Sequence, residues 1–215
     1  MTRLHPHAPV LALDIDGTLG DYYEHFRWFA ELYLQRPIHI NWEFSDTAEF
    51  SEALGLPKEV YRQIKLAYRQ GGMKRSLPIF TDSRKLVETV RNEYGVQVWI
   101  ATTRPWQRLD NIDPDTQFWL QHNIGRVDGV IYGEDKYLDL VDIVGKNRIV
   151  GVVDDLPENV VAAQALGLRA MLRVGGHNKA FRSVRTKVQT AVDSEEILSV
   201  AEGWIMDHKV LEGTR

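Results

Sequence analysis

The stretch Val10-Leu11-Ala12-Leu13-Asp14-Ile15-Asp16-Gly17-Thr18-Leu19 constrains this chain more than any other. Four apolar residues run straight into two aspartates spaced two apart, which on an extended segment share one face. Carboxylates that close repel each other unless a cation or a shared proton lies between them. Gly17 then lets the backbone turn sharply. A buried strand, paired aspartates and a turn suit metal-assisted phosphoryl transfer. Asp-Gly is also an ordinary turn dipeptide, so the rest of the chain has to carry the reading. A calcium loop of the EF-hand type opening at Asp14 is excluded: its sixth and twelfth positions need Gly and Glu, and here they hold Leu19 and His25.

Beyond residue 81 helical and strand patterns alternate. Residues 83–94 read as an amphipathic helix and 96–101 (VQVWIA) as a buried strand. Residues 116–122 are helical, with Asp113-Pro114-Asp115 as cap and turn, and 127–132 form a strand. A helix over 136–144, a strand over 149–153 (IVGVV), a helix over 157–166 ended by Gly167, and a short strand over 168–172 follow. A helix over 193–208 closes the chain. Short apolar strands separated by helices predict right-handed βαβ units and a parallel sheet covered on both faces.

Residues 21–78 break this rhythm. They predict an aromatic-rich helix over 22–34, an irregular stretch over 37–44, and helices near 47–54 and 58–70, with Gly71-Gly72 and Pro78 marking the return to the sheet. A helical block inserted after the first strand reads as a lid over the sheet edge. The expected organisation is a core of residues 1–20 and 79–215 with a helical cap of residues 21–78. A length of 215 residues suits one domain with such an insertion.

Ligands gather at the carboxyl ends of strands in parallel α/β sheets, and four predicted strands deliver polar groups there. The first ends in Asp14 and Asp16, VQVWIA in Thr102-Thr103-Arg104, and IVGVV in Asp154-Asp155, while the strand over 127–132 leads into Gly133-Glu134-Asp135-Lys136. Lys146 precedes the strand over 149–153 and belongs to the opposite edge, so Lys136 is the expected site lysine.

Composition excludes several alternatives. With no cysteine, disulfides, zinc–thiolate sites and thiol catalysis are ruled out, and the seven histidines lack zinc-ligand spacing. A net charge of −4 gives no reason to expect duplex nucleic acid or an acidic membrane as partner. No apolar run approaches the ~20 residues of a membrane span, and the first residues lack a signal-peptide core. A cytoplasmic location is the expectation.

These residues resemble the haloacid dehalogenase (HAD) superfamily of phosphohydrolases. Asp14 to Leu19 is similar to its Asp-x-Asp-Gly-Thr-Leu motif, followed in order by Thr102, Lys136 and Asp154-Asp155; the likeness spans about residues 8–172. The resemblance implies a Rossmann-like α/β core with strand order 5-4-1-2-3. A narrower likeness is to the 5′(3′)-deoxyribonucleotidases. Leu19-Gly20-Asp21-Tyr22, Val98 to Thr103, Asp135-Lys136 and His177-Asn178-Lys179 look like segments of that group, whereas Glu134 and Arg104-Pro105-Trp106 depart from it.

The resemblance implies a magnesium-dependent phosphatase. Its small phosphorylated substrate would be a (deoxy)nucleoside monophosphate; a sugar phosphate or a nucleic-acid end is the alternative, and a non-catalytic binding protein on the same fold the contrasting class. Asp14 would be the nucleophile, forming an aspartyl-phosphate, and Asp16 the general acid and base. Magnesium would be held by Asp14, the backbone carbonyl of Asp16 and Asp154, with Asp155 acting through water or by orienting its neighbours. Thr102, Thr103 and Lys136 would hold the phosphoryl oxygens. Tyr22 either stacks on a base, as the resemblance implies, or seats the lid helix, and Arg104 is either a phosphate contact or a surface charge. Trp28 and Trp42 are expected in the lid core, and His177 as a loop hydrogen-bonder.

Overall fold

Strand β1 (Val10–Leu13) is buried at every position, and an all-apolar strand belongs where both sheet faces are covered. In the computed structural model it lies inside a six-stranded sheet of order β3-β2-β1-β4-β5-β6. Its partners are β2 (Gln97–Thr102), β3 (Gly129–Tyr132), β4 (Ile149–Asp154), β5 (Ala170–Arg173) and β6 (Gln189–Ala191). Every pairing is parallel. The structure describes residues 5–42, 50–105, 107–179, 181 and 188–213.

The first five strands take the expected order, read from the other edge. Strand β6 is an addition to the expected five. It has three residues, and only Ala191 is buried, so neither length nor alternation marks it in the sequence.

Side chains sort by strand parity. Leu11 and Leu13 join one core with Val98, Ile100, Trp119 and Trp204. Val10 and Ala12 join the other with Ala101, Leu140, Val152 and Val160. A period of two thus builds both layers from one strand.

The chain leaves β1 through a tight turn, in which Gly20 N–H donates to the Ile15 carbonyl at 2.8 Å. It then forms α1 (Tyr22–Leu34), α2 (Phe50–Ala53), α3 (Lys58–Gln70) and a 3-10 turn over Met73–Ser76. Phe26, Ala30, Ile38, Phe50, Leu54, Ile64 and Tyr68 give these elements a hydrophobic cluster of their own. The two ends of the insertion are stitched together: Asp21 N–H donates to the Pro78 carbonyl at 2.8 Å and Phe80 N–H to the Leu19 carbonyl at 2.9 Å.

Helices α4 (Ser83–Asn92), α5 (Ile112–Trp119), α6 (Lys136–Val144), α7 (Pro157–Ala165) and α8 (Ser194–Gly213) cover the sheet. Helix α5 starts four residues before the expected point, because Pro114 is tolerated in a first turn. Trp28, expected in the core of the insertion, does not enter it. It is 46% exposed and stacks against His25 with ring centroids 5.8 Å apart. The expected helix over 47–54 is seen as Phe50–Ala53; residues 47–49 lie outside the described residues, as do 43 and 44 of the irregular stretch. No helix among the described residues is long and apolar enough to cross a membrane.

Candidate active site

Four strand ends converge as parallel-sheet geometry requires. Asp14 follows β1 and is anchored to β4, its N–H donating to the Val153 carbonyl at 3.0 Å. Lys136, the first residue of α6, is buried and reaches back over the edge. Its Nζ lies 2.7 Å from Asp14 Oδ1 and 2.6 Å from Asp154 Oδ2. Lys146 sits beyond the opposite end of the sheet, against Gly167.

The two aspartates ending β4 have different surroundings. Both oxygens of Asp154 are taken. Besides Lys136, the Tyr137 hydroxyl donates to Oδ2 at 2.6 Å, Leu156 N–H donates to Oδ1 at 2.9 Å, and Asn159 Nδ2 lies 3.1 and 3.2 Å from the two oxygens. Asp155 accepts from the Tyr23 hydroxyl at 2.9 Å and is approached by His177 Nε2 at 2.9 Å, both on Oδ2. Its Oδ1 is buried without a partner among the described residues. His177 also stacks on Tyr23 at 4.0 Å, a hydrogen-bonding loop role as expected.

Gly17 is required in this cradle. Its φ is +91°, and a Cβ there would lie 2.1 Å from Asp155 Oδ2, so any side chain would displace the carboxylate.

Asp16 is claimed by two cations. Arg104 donates through Nη2 to Oδ1 at 2.8 Å and through Nε to Oδ2 at 3.2 Å, and Lys74 bonds Oδ2 directly. Arg104 is buried and also donates to Thr116 Oγ1 at 2.9 Å. It is therefore not a surface charge.

Burial works on all these groups, and its result depends on the partners. Asp14 is pushed well above the ordinary carboxylate range by burial, which the neighbouring Asp154, Asp155 and Asp16 reinforce and Lys136 opposes. Burial would also raise Asp16, but Arg104 and Lys74 outweigh it and hold that carboxyl well below its usual range. Burial lowers Lys74 to about 7, against the pull of Asp16. Lys136 resists burial and stays above an ordinary lysine, because Asp14 and Asp154 both favour its charge.

Asp14, Asp16 and Asp155 open into a cavity of about 190 Å³ beneath the helical insertion. Thr103 and Arg104 line it, as do Tyr22, Lys65, Arg69 and Lys74. Thr102, Lys136 and Asp154 stand behind this wall. The Tyr22 ring is covered by Lys74 Nζ at 4.0 Å and packs edge-on to Tyr68. Trp42 stacks on Phe50. Among the described residues, no three His, Cys, Asp or Glu side chains form a ready-made metal cage.

Sequence reasoning missed several residues. Lys74 lies in the turn after Gly71-Gly72, which reads only as punctuation. Tyr137 and Asn159 carry a weak signal, since each sits in the first turn of a helix that follows a site strand. Tyr23, Lys65 and Arg69 carry none, because their facing depends on how the insertion seats.

No protein-family model matches the chain, and no curated protein matches it. Solved structures do. A haloacid dehalogenase-like hydrolase from Streptococcus pneumoniae superposes with a TM-score of 0.62 at 17% identity, covering 91% of this chain and 99% of that one. A predicted phosphoglycolate phosphatase from Haemophilus somnus gives 0.61 at 15%, covering 90% and 98%. A mutant of CbbY from Rhodobacter sphaeroides, in complex with xylulose-(1,5)-bisphosphate, gives 0.55 at 13%, covering 87% and 95%. The fold is that of the HAD hydrolases.

Proposed function

We propose that this protein is a magnesium-dependent phosphatase acting on a compact phosphate monoester, with residues 21–78 as the lid. The observation that carries this reading is the charge imbalance at Asp14. Of three crowded, buried carboxylates, Asp14 and Asp154 share one buried ammonium, Lys136, while Asp155 is met by His177 and the Tyr23 hydroxyl. A divalent cation would relieve that imbalance. Asp14, the carbonyl of Asp16 and Asp155 fit it best, because Asp155 keeps a buried oxygen without a partner among the described residues, whereas Asp154 is saturated. Magnesium accepts so few protein ligands because it keeps several waters. When bound it would neutralise charge on the carboxylate and the phosphoryl oxygens.

In this reading Asp14 Oδ attacks phosphorus as the ester P–O bond breaks, leaving an aspartyl-phosphate and an alkoxide. Asp16 gives the alkoxide its proton, then takes one from the water that cleaves the acyl-phosphate. Lys136 orients Asp14 and compensates its charge. Asp16 is ionised while Arg104 and Lys74 hold it. A phosphate dianion that draws both cations to its own oxygens would let the Asp16 pKa rise, which acid catalysis requires.

Two observations favour a compact ester over the nucleoside monophosphate implied by the narrower sequence likeness. A volume of about 190 Å³ lies below the ~300 Å³ at which ordinary ligand pockets begin. Each ring that could stack on a base already has one face taken, Tyr22 by Lys74, Tyr23 by His177 and Trp42 by Phe50. Phosphate release measured over short sugar phosphates, phosphorylated carboxylic acids and nucleoside monophosphates tests this. Compact esters should be cleaved, chelation should stop release and magnesium should restore it. Preference for nucleotides would overturn the substrate class, and no release from any ester would overturn the phosphatase.

A further inference from the structure

The cavity is charged on two sides. The sheet edge supplies Asp14 and Asp155, with Glu158 from the first turn of α7 at the rim. The insertion supplies Lys65, Arg69 and Lys74. Lys74 is committed to Asp16. Lys65 and Arg69 are not committed to any carboxylate: among the described residues neither forms an ion pair. They lie one helical turn apart on α3, and with Tyr61 they make a stripe at i, i+4 and i+8 facing the cavity. Lys65 Nζ stands 5.3 Å from the Tyr61 ring centroid.

Folding alone gives no reason for this arrangement. Like charges at i, i+4 oppose each other on a helix, and half-buried cations are the ones that most need a partner. Elsewhere in the insertion that need is met. Arg62, on the outer face of the same helix, pairs with Glu59 at 3.1 Å although both are exposed. Arg27 of α1 pairs with Glu24 at 2.7 Å and Glu31 at 2.8 Å. These cations are neutralised, and among the described residues the cavity-facing pair is not. Burial, followed by repulsion from Arg69, lowers Lys65 to about 8, even with Asp16 favouring its charge. The strain is electrostatic, and a bound anion would remove it.

The mooring of α3 shows that the pair is held in place. Its carboxyl end is tied to the core by Asn111 Nδ2, which donates to the Arg69 carbonyl at 2.7 Å. Ile64 and Tyr68 bury the adjacent face of the helix. Arg69 therefore projects from a fixed point of the lid, across the cavity from the nucleophile.

We propose that Lys65 and Arg69 form a second anion subsite, so that the substrate is a short-chain phosphate monoester carrying a carboxylate or a second phosphate at its far end. This rests on the phosphatase reading, in which the reacting phosphate lies at Asp14. Separation of charge within the cavity then orients the substrate. The reacting phosphate lies toward Asp14, and the second anion is captured by the lid.

Equilibrium binding separates the two ideas, because it needs no turnover. Phosphoglycolate and ethyl phosphate have similar size and differ in the terminal carboxylate. Calorimetric titration of the full chain in magnesium, with Asp14→Asn as the common background of every variant so that neither ester is hydrolysed, should show phosphoglycolate binding tighter by about tenfold or more, as expected for a charge-assisted contact. The ratio of the two affinities should fall toward one in Lys65→Gln and in Arg69→Gln. It should be retained in Lys65→Arg, which keeps the charge, and in Lys85→Gln on the outer surface of α4. Thermal melting of each variant checks that it is folded. A ratio near one in the Asp14→Asn background itself, or a ratio that Lys65→Gln and Arg69→Gln leave unchanged, would overturn the subsite. An intact ratio without phosphate release from any ester by the wild-type chain would instead overturn the phosphatase reading and leave the anion subsite standing.

Discussion

The sheet edge and the helical insertion build one cavity by different means. At the sheet edge each group sits within three residues of a strand end or at the first turn of a helix. Asp14 and Asp16 follow β1, Asp154 and Asp155 close β4, and Lys136 opens α6. Strand register places them, and the apolar strands that set the register are buried. The insertion supplies Lys65 and Arg69 from mid-helix and Lys74 from a 3-10 turn. Nothing local aims these side chains; they face the cavity because α1, α2 and α3 pack around Phe26, Phe50 and Tyr68. The edge therefore carries its chemistry as motifs, whereas the lid carries its chemistry through packing.

That contrast breaks most easily at Asp14. Asp14→Asn should lower phosphate release on the order of 10³-fold or more while the protein melts normally. Activity near wild type in a folded variant would remove Asp14 from the nucleophile role and make the lid, not the edge, the place to look for chemistry.

The next largest effect compares two lysines. Lys136→Ala leaves Asp14 and Asp154 buried without their shared counter-charge, so it should lose roughly 10²-fold in rate and about 3–5 kcal/mol in stability. Lys146→Ala, at the far end of the sheet, should stay near wild type in both. Steady-state kinetics and denaturant melts decide. Equal effects would mean that the strand register is not what places the charge.

Gly17→Ala tests the edge through its backbone. A methyl group would meet Asp155 Oδ2 and Tyr23 at a φ of +91°, and a cost of about 1–3 kcal/mol is expected. Because Asp155 must move, magnesium affinity should weaken as well. Titration of magnesium by calorimetry reads this without substrate, and unchanged affinity would detach Asp155 from the metal.

The smallest effect belongs to the lid. His25 Nδ1 lies 2.7 Å from the Tyr68 hydroxyl, and burial, with help from Lys74, lowers its pKa to about 4. Between the ordinary histidine pKa of about 6.5 and about 4 the unfolded chain binds the extra proton, so stability falls as pH drops through that window. Since water still reaches part of the ring, about 1–2 kcal/mol is expected. His25→Gln should flatten the pH dependence of melting there. A slope that persists would place the acid sensitivity at the sheet edge instead.

Most of the fold was legible in the sequence. Helices α1, α3 and α6 fall where their apolar spacing puts them, and five strands take the expected order. Strand β6 escaped, because three residues with one buried alanine leave no pattern. Trp28 misled because a large aromatic on a helix is ordinarily buried, whereas here it caps His25 from outside. Asp14, Asp16 and Lys136 were readable because the edge of a parallel sheet is a local consequence of chain order.

Sequence by itself determined that an apolar strand would end in paired carboxylates, that three more strand ends would join it, and that a helical block would rise from the turn that follows. A period of two and the carboxyl-end rule are properties of a short segment, and they survive any detail of packing. Only tertiary structure decided that Asp154 is saturated while Asp155 keeps an oxygen unmatched among the described residues, and that Arg104 and Lys74 grip Asp16. The same holds for Lys65 and Arg69, which line one cavity with Asp14 and have no ion-pair partner among those residues. Such facts turn on a few ångströms between residues up to 132 positions apart, as with Tyr23 and Asp155. At that range burial and charge set each group's state jointly, and no local pattern encodes the sum.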